Sequence, residues 1–395
     1  MPKFEKKIVE WMDKNSSILF FIIITLIGFV MRYVGKDFLS SDMSNVLIPW
    51  YHMIQDAGGL RGLKTQVGDY NVLYQTIIAF MTYIPLNPMT QYKVLSCIFD
   101  ILLAYFCANH VRVLKKEPLF STRFNCIYAV IFLLPTVVLN SAFWGQCDSI
   151  YVFTILIGIF LLHKNKNIPA FILFGVSFAL KLQTVFILPY LVAYYFVKKK
   201  YSILMFPLMV LSFWSCSIIA FINGRELLAP FTAYIYQAGL YPSMVKNSRS
   251  FWLLFGEDYP RFGTFAVLLT FAILGLGFYM TLKKKKRLDT PIQCFNALAW
   301  FVWTCIFFLP AMHDRYAYLL DIILIMLAFM DKKYIKFAAF SALLSLMTYP
   351  GFLLFAGGVN RMDAFIEFFV YIYFSYLIMQ PSENLPQNEA EAIAG

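Results

Sequence analysis

Apolar runs of 13 to 21 residues recur along the whole chain, at 17–33, 93–112, 124–140, 149–162, 168–180, 183–197, 202–222, 263–282, 292–310, 316–330, 335–349 and 364–379. No water-soluble core buries that many, and a bilayer accepts such segments only as helices or closed barrels. The pattern predicts an all-α polytopic membrane protein with about twelve transmembrane helices. The composition agrees, with 60% hydrophobic and 14% charged residues in 395. A cleaved secretion signal at 17–33 is not expected, because no small-residue cleavage site follows and many further spans come after it. Residues 1–380 read as one transmembrane unit and 381–395 as a short, polar, disordered cytoplasmic tail.

Charge and cysteine usage narrow the class further. The formal charge of +11 sits in short basic runs between apolar segments, which points to membrane lipid headgroups and not to nucleic acid. The seven cysteines fall mostly inside apolar runs and form neither a zinc spacing nor a disulfide framework.

Sidedness follows from counting Lys and Arg. The stretch Val72 to Leu86 is apolar but has only 15 residues, against the roughly 20 that cross the hydrocarbon. If it lies along or dips into the surface, the cytoplasmic loops hold four basic residues at 3–14, four at 112–123, two at 164–166, three at 198–200, five at 283–287 and three at 332–336. That is 21 of the 33; if the stretch crosses, the inside total falls to 12. The positive-inside rule therefore selects cytoplasmic termini and two extracytoplasmic segments, 34–92 and 223–262, the first with amphipathic helices. The expected location is a bacterial plasma membrane.

On this topology four polar clusters share the outer face. Asp42 follows the first span by about one turn, where a carboxylate can accept a proton from an incoming hydroxyl; capping of the segment 43–56 is the structural alternative. Asp69, Tyr70 and Asn71 close the first outer segment, as a turn and helix cap or as acceptor-binding residues. Trp144 and Gln146 offer a stacking surface and an amide to a sugar ring, and Asp148 adds a second carboxylate or a helix cap. His313, Arg315 and Tyr316 suit a phosphate oxyanion, or else anchor the interface. Lys181, beside Gln183 in a hairpin between two short spans, costs on the order of 3 kcal/mol at the bilayer centre. A phosphate partner would offset that, as would a neighbouring acid, and Lys181→Met is expected to weaken donor binding and raise thermal stability.

A base, a sugar platform and phosphate-directed cations fit inverting transfer of a hexose, mannose-like or glucose-like, from a polyprenyl-phosphate donor to a lipid-linked or cell-envelope glycan acceptor. A phosphate leaving group needs charge stabilisation more than an acid, whereas the attacking hydroxyl needs a base. Nucleotide-sugar donors are disfavoured, since the chain has no Asp-x-Asp triplet and no Gly-rich αβ turn. The alternatives are a glycolipid flippase or transporter, which would show paired repeats, and a polysaccharide polymerase or ligase, which would show an outer loop rich in Arg and His.

The order of an acidic first outer loop, Gly68-Asp69-Tyr70-Asn71, Trp144-Gly145-Gln146-Cys147-Asp148, Lys181-Leu182-Gln183 and His313-Asp314-Arg315-Tyr316 resembles the GT-C glycosyltransferases. Within them it is most similar to bacterial relatives of the second mannosyltransferase of GPI-anchor synthesis. The resemblance implies a polyprenyl-phosphate-hexose donor, Asp42 as catalytic base and Lys181 in contact with lipid phosphate. It further implies that 223–262 covers the site through Trp252, although the family's preceding asparagine is displaced here to Asn247. Some members use a divalent metal, for which Asp42 alone is a poor ligand set.

Overall fold

The computed structural model describes residues 1–283, 288–354 and 358–380; the expected tail, 381–395, lies outside them. The helices are α1 (Lys3–Val34), α2 (Ile48–Asp56), α3 (Val72–Met81), α4 (Pro88–Leu114), α5 (Thr122–Phe132), α6 (Pro135–Val138), α7 (Asp148–His163), α8 (Asn167–Leu180), α9 (Leu188–Lys198), α10 (Met205–Ser215), α11 (Ile218–Ile222), α12 (Ala229–Gly239), α13 (Tyr259–Lys283), α14 (Pro291–Phe308), α15 (Tyr318–Met330), α16 (Ile335–Leu353) and α17 (Arg361–Met379). Two strands of two residues each, β1 (Val245–Lys246) and β2 (Met312–His313), pair in parallel.

Every one of the twelve apolar runs contains helix, yet they differ in reach. Among the described residues six segments are long and apolar enough to cross a membrane: α1, α4, α13, α14, Lys332–Leu353 and α17. A seventh arises if α5 and Pro135–Trp144, which meet at 49°, are one bent span. The bend falls at Pro135, which cannot donate to the preceding turn. The chain is thus a helical membrane protein. The run 202–222 is not one continuous helix: it divides into α10 and α11 around Cys216 and Ser217.

The ambiguous stretch after residue 72 resolves as the ten-residue α3, which rises only about 15 Å. It does not lie open on a surface, because Val72, Tyr74, Gln75, Thr76, Ile78, Ala79 and Met81 are all buried. It packs against α2, α8, α11 and the 3₁₀ turn Gly59–Lys64. The hairpin at Lys181 is a true break: Lys181 is extended (φ −155°, ψ 133°), and a 3₁₀ turn, Leu182–Ile187, leads into α9.

Buried charges tie these helices together. Arg32 of α1 donates to Asp100 of α4 through Nε (3.0 Å) and through a second nitrogen (2.7 Å), and also reaches the Phe132 carbonyl. Lys93 of α4 donates to the carbonyls of Gly35, Lys36 and Phe38, in the link just past α1. Arg249, from the segment before α13, enters the bundle between α15, α16 and α17. Its Nε lies 3.2 Å from Glu367, one terminal nitrogen lies 3.8 Å from Asp321, and the two terminal nitrogens donate to the carbonyl and hydroxyl of Ser341. Trp303 donates to the same Glu367 at 2.8 Å.

Removing one member of such a network leaves the others buried and uncompensated, at a cost of about 3–5 kcal/mol. Arg249→Ala should therefore lower the thermal midpoint of the purified protein well below the wild type, and Arg249→Met combined with Glu367→Gln should recover part of that loss. Equal midpoints for wild type and Arg249→Ala would contradict this account of the network.

Candidate functional site

The link after α1 decides the role of Asp42. Ser40 does the capping there: its hydroxyl oxygen accepts from Met43 N at 3.1 Å, and the hydroxyl donates to the Trp144 carbonyl at 3.2 Å. Asp42 makes no capping bond, so the structural alternative raised by the sequence fails. Instead Oδ2 of Asp42 accepts from Trp144 Nε1 (2.8 Å) and Gln146 Nε2 (2.9 Å), while Oδ1 takes part in none of these bonds. The side chain is 24% exposed, against zero for Asp148.

Two π-helical turns, Met43–Leu47 and Leu139–Trp144, bring these partners together, and such turns recur at functional sites. The second ends at Gly145, whose left-handed φ of +75° favours glycine; a Cβ there would also sit 2.2 Å from Met43 Cε. Gln146 is oriented from behind, since its Oε1 accepts from the Tyr70 hydroxyl at 2.8 Å. Burial pushes that hydroxyl far above its ordinary pKa, which keeps it a donor.

Asp148 opens α7, fully buried. Its Oδ1 pairs with Lys181 Nζ, and its Oδ2 accepts from Asn140 Nδ2 at 2.8 Å. Arg315 completes the cluster: its Nε lies 3.5 Å from Asp148, its Nη1 3.8 Å from Asp42 and 3.9 Å from Asp314, and its Nη2 donates to the Tyr70 hydroxyl at 3.4 Å. The guanidinium also stands over the Trp144 ring, 5.0 Å from its centre. Asp69 is half-buried beside them, its pKa raised first by burial and then moderated by Arg315.

Several expected roles change. Trp144 is no sugar platform: it is fully buried, stacked on Phe352 at 4.5 Å and edge-on to Tyr349, so its work is to hold Asp42. His313 is no phosphate-directed cation. Burial, reinforced by Arg315 and Lys246, lowers its pKa to about 3, and its ring sits between Tyr241 and Tyr316. Asn71 is a helix cap, as the plain reading of that turn had it; its Oδ1 accepts from Val72 N and its Nδ2 donates to the Pro230 carbonyl, both at 2.8 Å. Trp252 packs with Met244 and Ala266 and donates to the Phe308 carbonyl at 2.7 Å, touching none of the cluster. Gln183 lies against the Tyr316 hydroxyl, with its Oε1 buried and unpartnered.

Lys181 meets an acid, the alternative that its insertion cost left open. This reverses the expected stability effect of Lys181→Met, because that substitution would strand Asp148 in the interior. Three contributors were given no role by the sequence reading: Ser40, Asn140 and Asp314, the last although it stands within a quoted motif. Asn140 closes an apolar run eight residues before Asp148, a polar position that could have drawn notice.

Among the described residues no three His, Cys, Asp or Glu side chains converge as a metal site. Asp42 and Asp148 already face Arg315 and Lys181, so the cluster does not fit a divalent ion. No protein-family model matches the chain, and no curated protein matches it either.

Asp314 is buried and accepts from Arg315 N at 2.9 Å, and burial raises its pKa to about 7 despite Arg315. A carboxyl whose folded pKa lies above its unfolded value of 3.8 binds a proton more tightly when folded, so its contribution to stability falls as pH rises from about 4 to 7 and is constant above that. Asp314→Asn should remove this dependence. The thermal midpoint of the variant relative to wild type should thus rise between pH 5 and pH 8, and a difference independent of pH would refute the assignment.

Proposed function

We propose that this chain is an inverting, integral-membrane glycosyltransferase of the GT-C type, moving a hexose from a polyprenyl-phosphate donor to a lipid-linked or envelope acceptor. The observation that carries the reading is Asp42, a carboxylate whose Oδ2 is fixed by Trp144 and Gln146 and lies 3.8 Å from the Arg315 guanidinium, while its Oδ1 is uncommitted. That arrangement supplies a positioned base beside a cation, the pair that such a displacement requires. Two buried polar atoms without hydrogen bonds, Arg315 Nε and Gln183 Oε1, add unsatisfied capacity.

In this reading the acceptor hydroxyl attacks the anomeric carbon, its proton passes to Oδ1 of Asp42, and the carbon–oxygen bond to phosphate breaks with its electrons kept by the phosphate. Arg315, 12% exposed, is the cation within reach of that leaving group. Lys181 is 4% exposed and bound to Asp148, so its part is to balance Asp148 and leave Arg315 available. This moves the phosphate contact implied by the family resemblance from Lys181 to Arg315. The reading includes twelve spans, cytoplasmic termini and a site on the outer face of a bacterial plasma membrane, supported by the 21 of 33 basic residues assigned inside.

Asp42→Asn keeps an oxygen for Trp144 and Gln146 but removes the base. Transfer of labelled hexose from polyprenyl-phosphate hexose by membranes containing the variant should fall about 10²–10⁴-fold with expression unchanged. Undiminished transfer would remove Asp42 from the chemistry. Lys181→Met should lower the thermal midpoint, whereas Lys181→Met with Asp148→Leu should restore much of it; a stabilised single variant would show that the pair does not carry the load assigned to it.

A further inference from the structure

The helices that hold the candidate site at one end meet again at the other. α7 begins at Asp148 and ends at His163, about 22 Å away. α4 runs the same way, from Lys93 near its start to His110 near its end, and α14 runs in reverse, from Pro291 to Phe308. At that far end His110, His163, Lys164, Tyr194, Lys198 and Lys200 line a cavity of about 60 Å³. The lining is basic, holding three lysines and one acid, Asp289, which pairs with Lys198 at 2.8 Å.

Most polar groups of this pocket are satisfied internally. His163 Nε2 meets the Tyr190 hydroxyl at 2.8 Å, and Cys294 donates to the Leu288 carbonyl at 3.3 Å. His110 is the exception. It is 4% exposed, walled by Phe106, Phe160 and Phe295, and neither ring nitrogen has a hydrogen-bond partner. A buried imidazole left open on both sides, next to lysines, calls for a ligand that accepts hydrogen bonds and carries negative charge. A metal does not answer, because no three metal-binding side chains converge among the described residues. The cavity is of the scale of one phosphate group.

We propose that this pocket binds a phosphate-bearing anion, with Lys164, Lys198 and Lys200 supplying charge and His110 an N–H donor. The phosphate can belong to a lipid headgroup at the membrane surface or be free in solution; the chemistry of recognition is shared. The site is separate from the Asp42 cluster and stands whether or not that cluster transfers sugar.

The full chain in phosphatidylcholine nanodiscs, titrated with inorganic phosphate, and in nanodiscs doped with phosphatidic acid, gives the two arms. Bound ligand is read by native mass spectrometry and by the shift in thermal midpoint. At least one arm should bind, and Lys164→Gln combined with Lys200→Gln should weaken it tenfold or more, with the Lys198–Asp289 pair left intact. Lys3→Gln combined with Lys6→Gln, the same charge change in α1, should bind like wild type. Binding of phosphate identifies a soluble anion, and binding of phosphatidic acid alone identifies a headgroup. Should the double variant fail to fold, Lys200→Gln, at an exposed position, must still weaken binding. No binding in either arm, or equal loss in the α1 control, overturns the proposal.

Discussion

Charges buried in this bundle persist because each meets a counter-charge or a set of carbonyls, and the helix arrangement follows those meetings. Arg32 with Asp100 fastens α1 to α4. Arg249 draws the segment before α13 down between α15, α16 and α17. Lys181 with Asp148 fixes the break after α8 against the first turn of α7. Hydrophobic packing alone discriminates weakly among helix pairings in lipid, since neighbouring helices and acyl chains are similarly apolar. A misplaced arginine, in contrast, is costly, so these few contacts specify register.

The third of these meetings also sets up the site. With Lys181 committed to Asp148, the Arg315 guanidinium is shared among Asp42, Asp148 and Asp314 at 3.5 to 3.9 Å, each contact longer than a hydrogen bond. An arginine held in that way is oriented by its surroundings yet keeps donor capacity in reserve. The Trp144 ring beneath it and the Tyr70 hydroxyl beside it define the plane in which that capacity is presented.

The helical membrane class was legible because bilayer thickness imposes a length on apolar runs, and every run contains helix. Span number was not, since α7, α8, α9 and α15 are apolar but shorter than a crossing, and length from sequence cannot distinguish a short helix shielded by protein from one that spans. That separate polar motifs converge was legible too: Asp42, Tyr70, Gln146, Asp148, Lys181 and Arg315 do come together. Their division of labour was hidden. Whether Ser40 or Asp42 caps the turn, and whether Lys181 meets phosphate or carboxylate, depends on partners more than thirty residues away, and local preference weights both outcomes alike. Trp144 misled for a related reason, since an indole before glycine looks like a platform until Phe352 is seen to occupy its face.

A comparison among the buried acids shows why Asp42 differs. Asp100, Asp148, Asp321 and Glu367 are all 2% exposed or less, each within 4 Å of an arginine or lysine nitrogen, and each is reached by helices on more than one side. Acids so placed serve the fold. Asp42 in contrast is 24% exposed and its nearest cation stands at 3.8 Å; hydrogen bonds collected on a single oxygen are common to it, Asp100 and Glu367, but in those two the free oxygen is buried. A carboxylate needed only for structure gains nothing from leaving Oδ1 uncommitted at an accessible position, whereas a base needs that oxygen free and the other held still. The accessibility of Asp42, joined to its uncommitted Oδ1, is therefore what separates a catalytic reading of this cluster from a purely structural one.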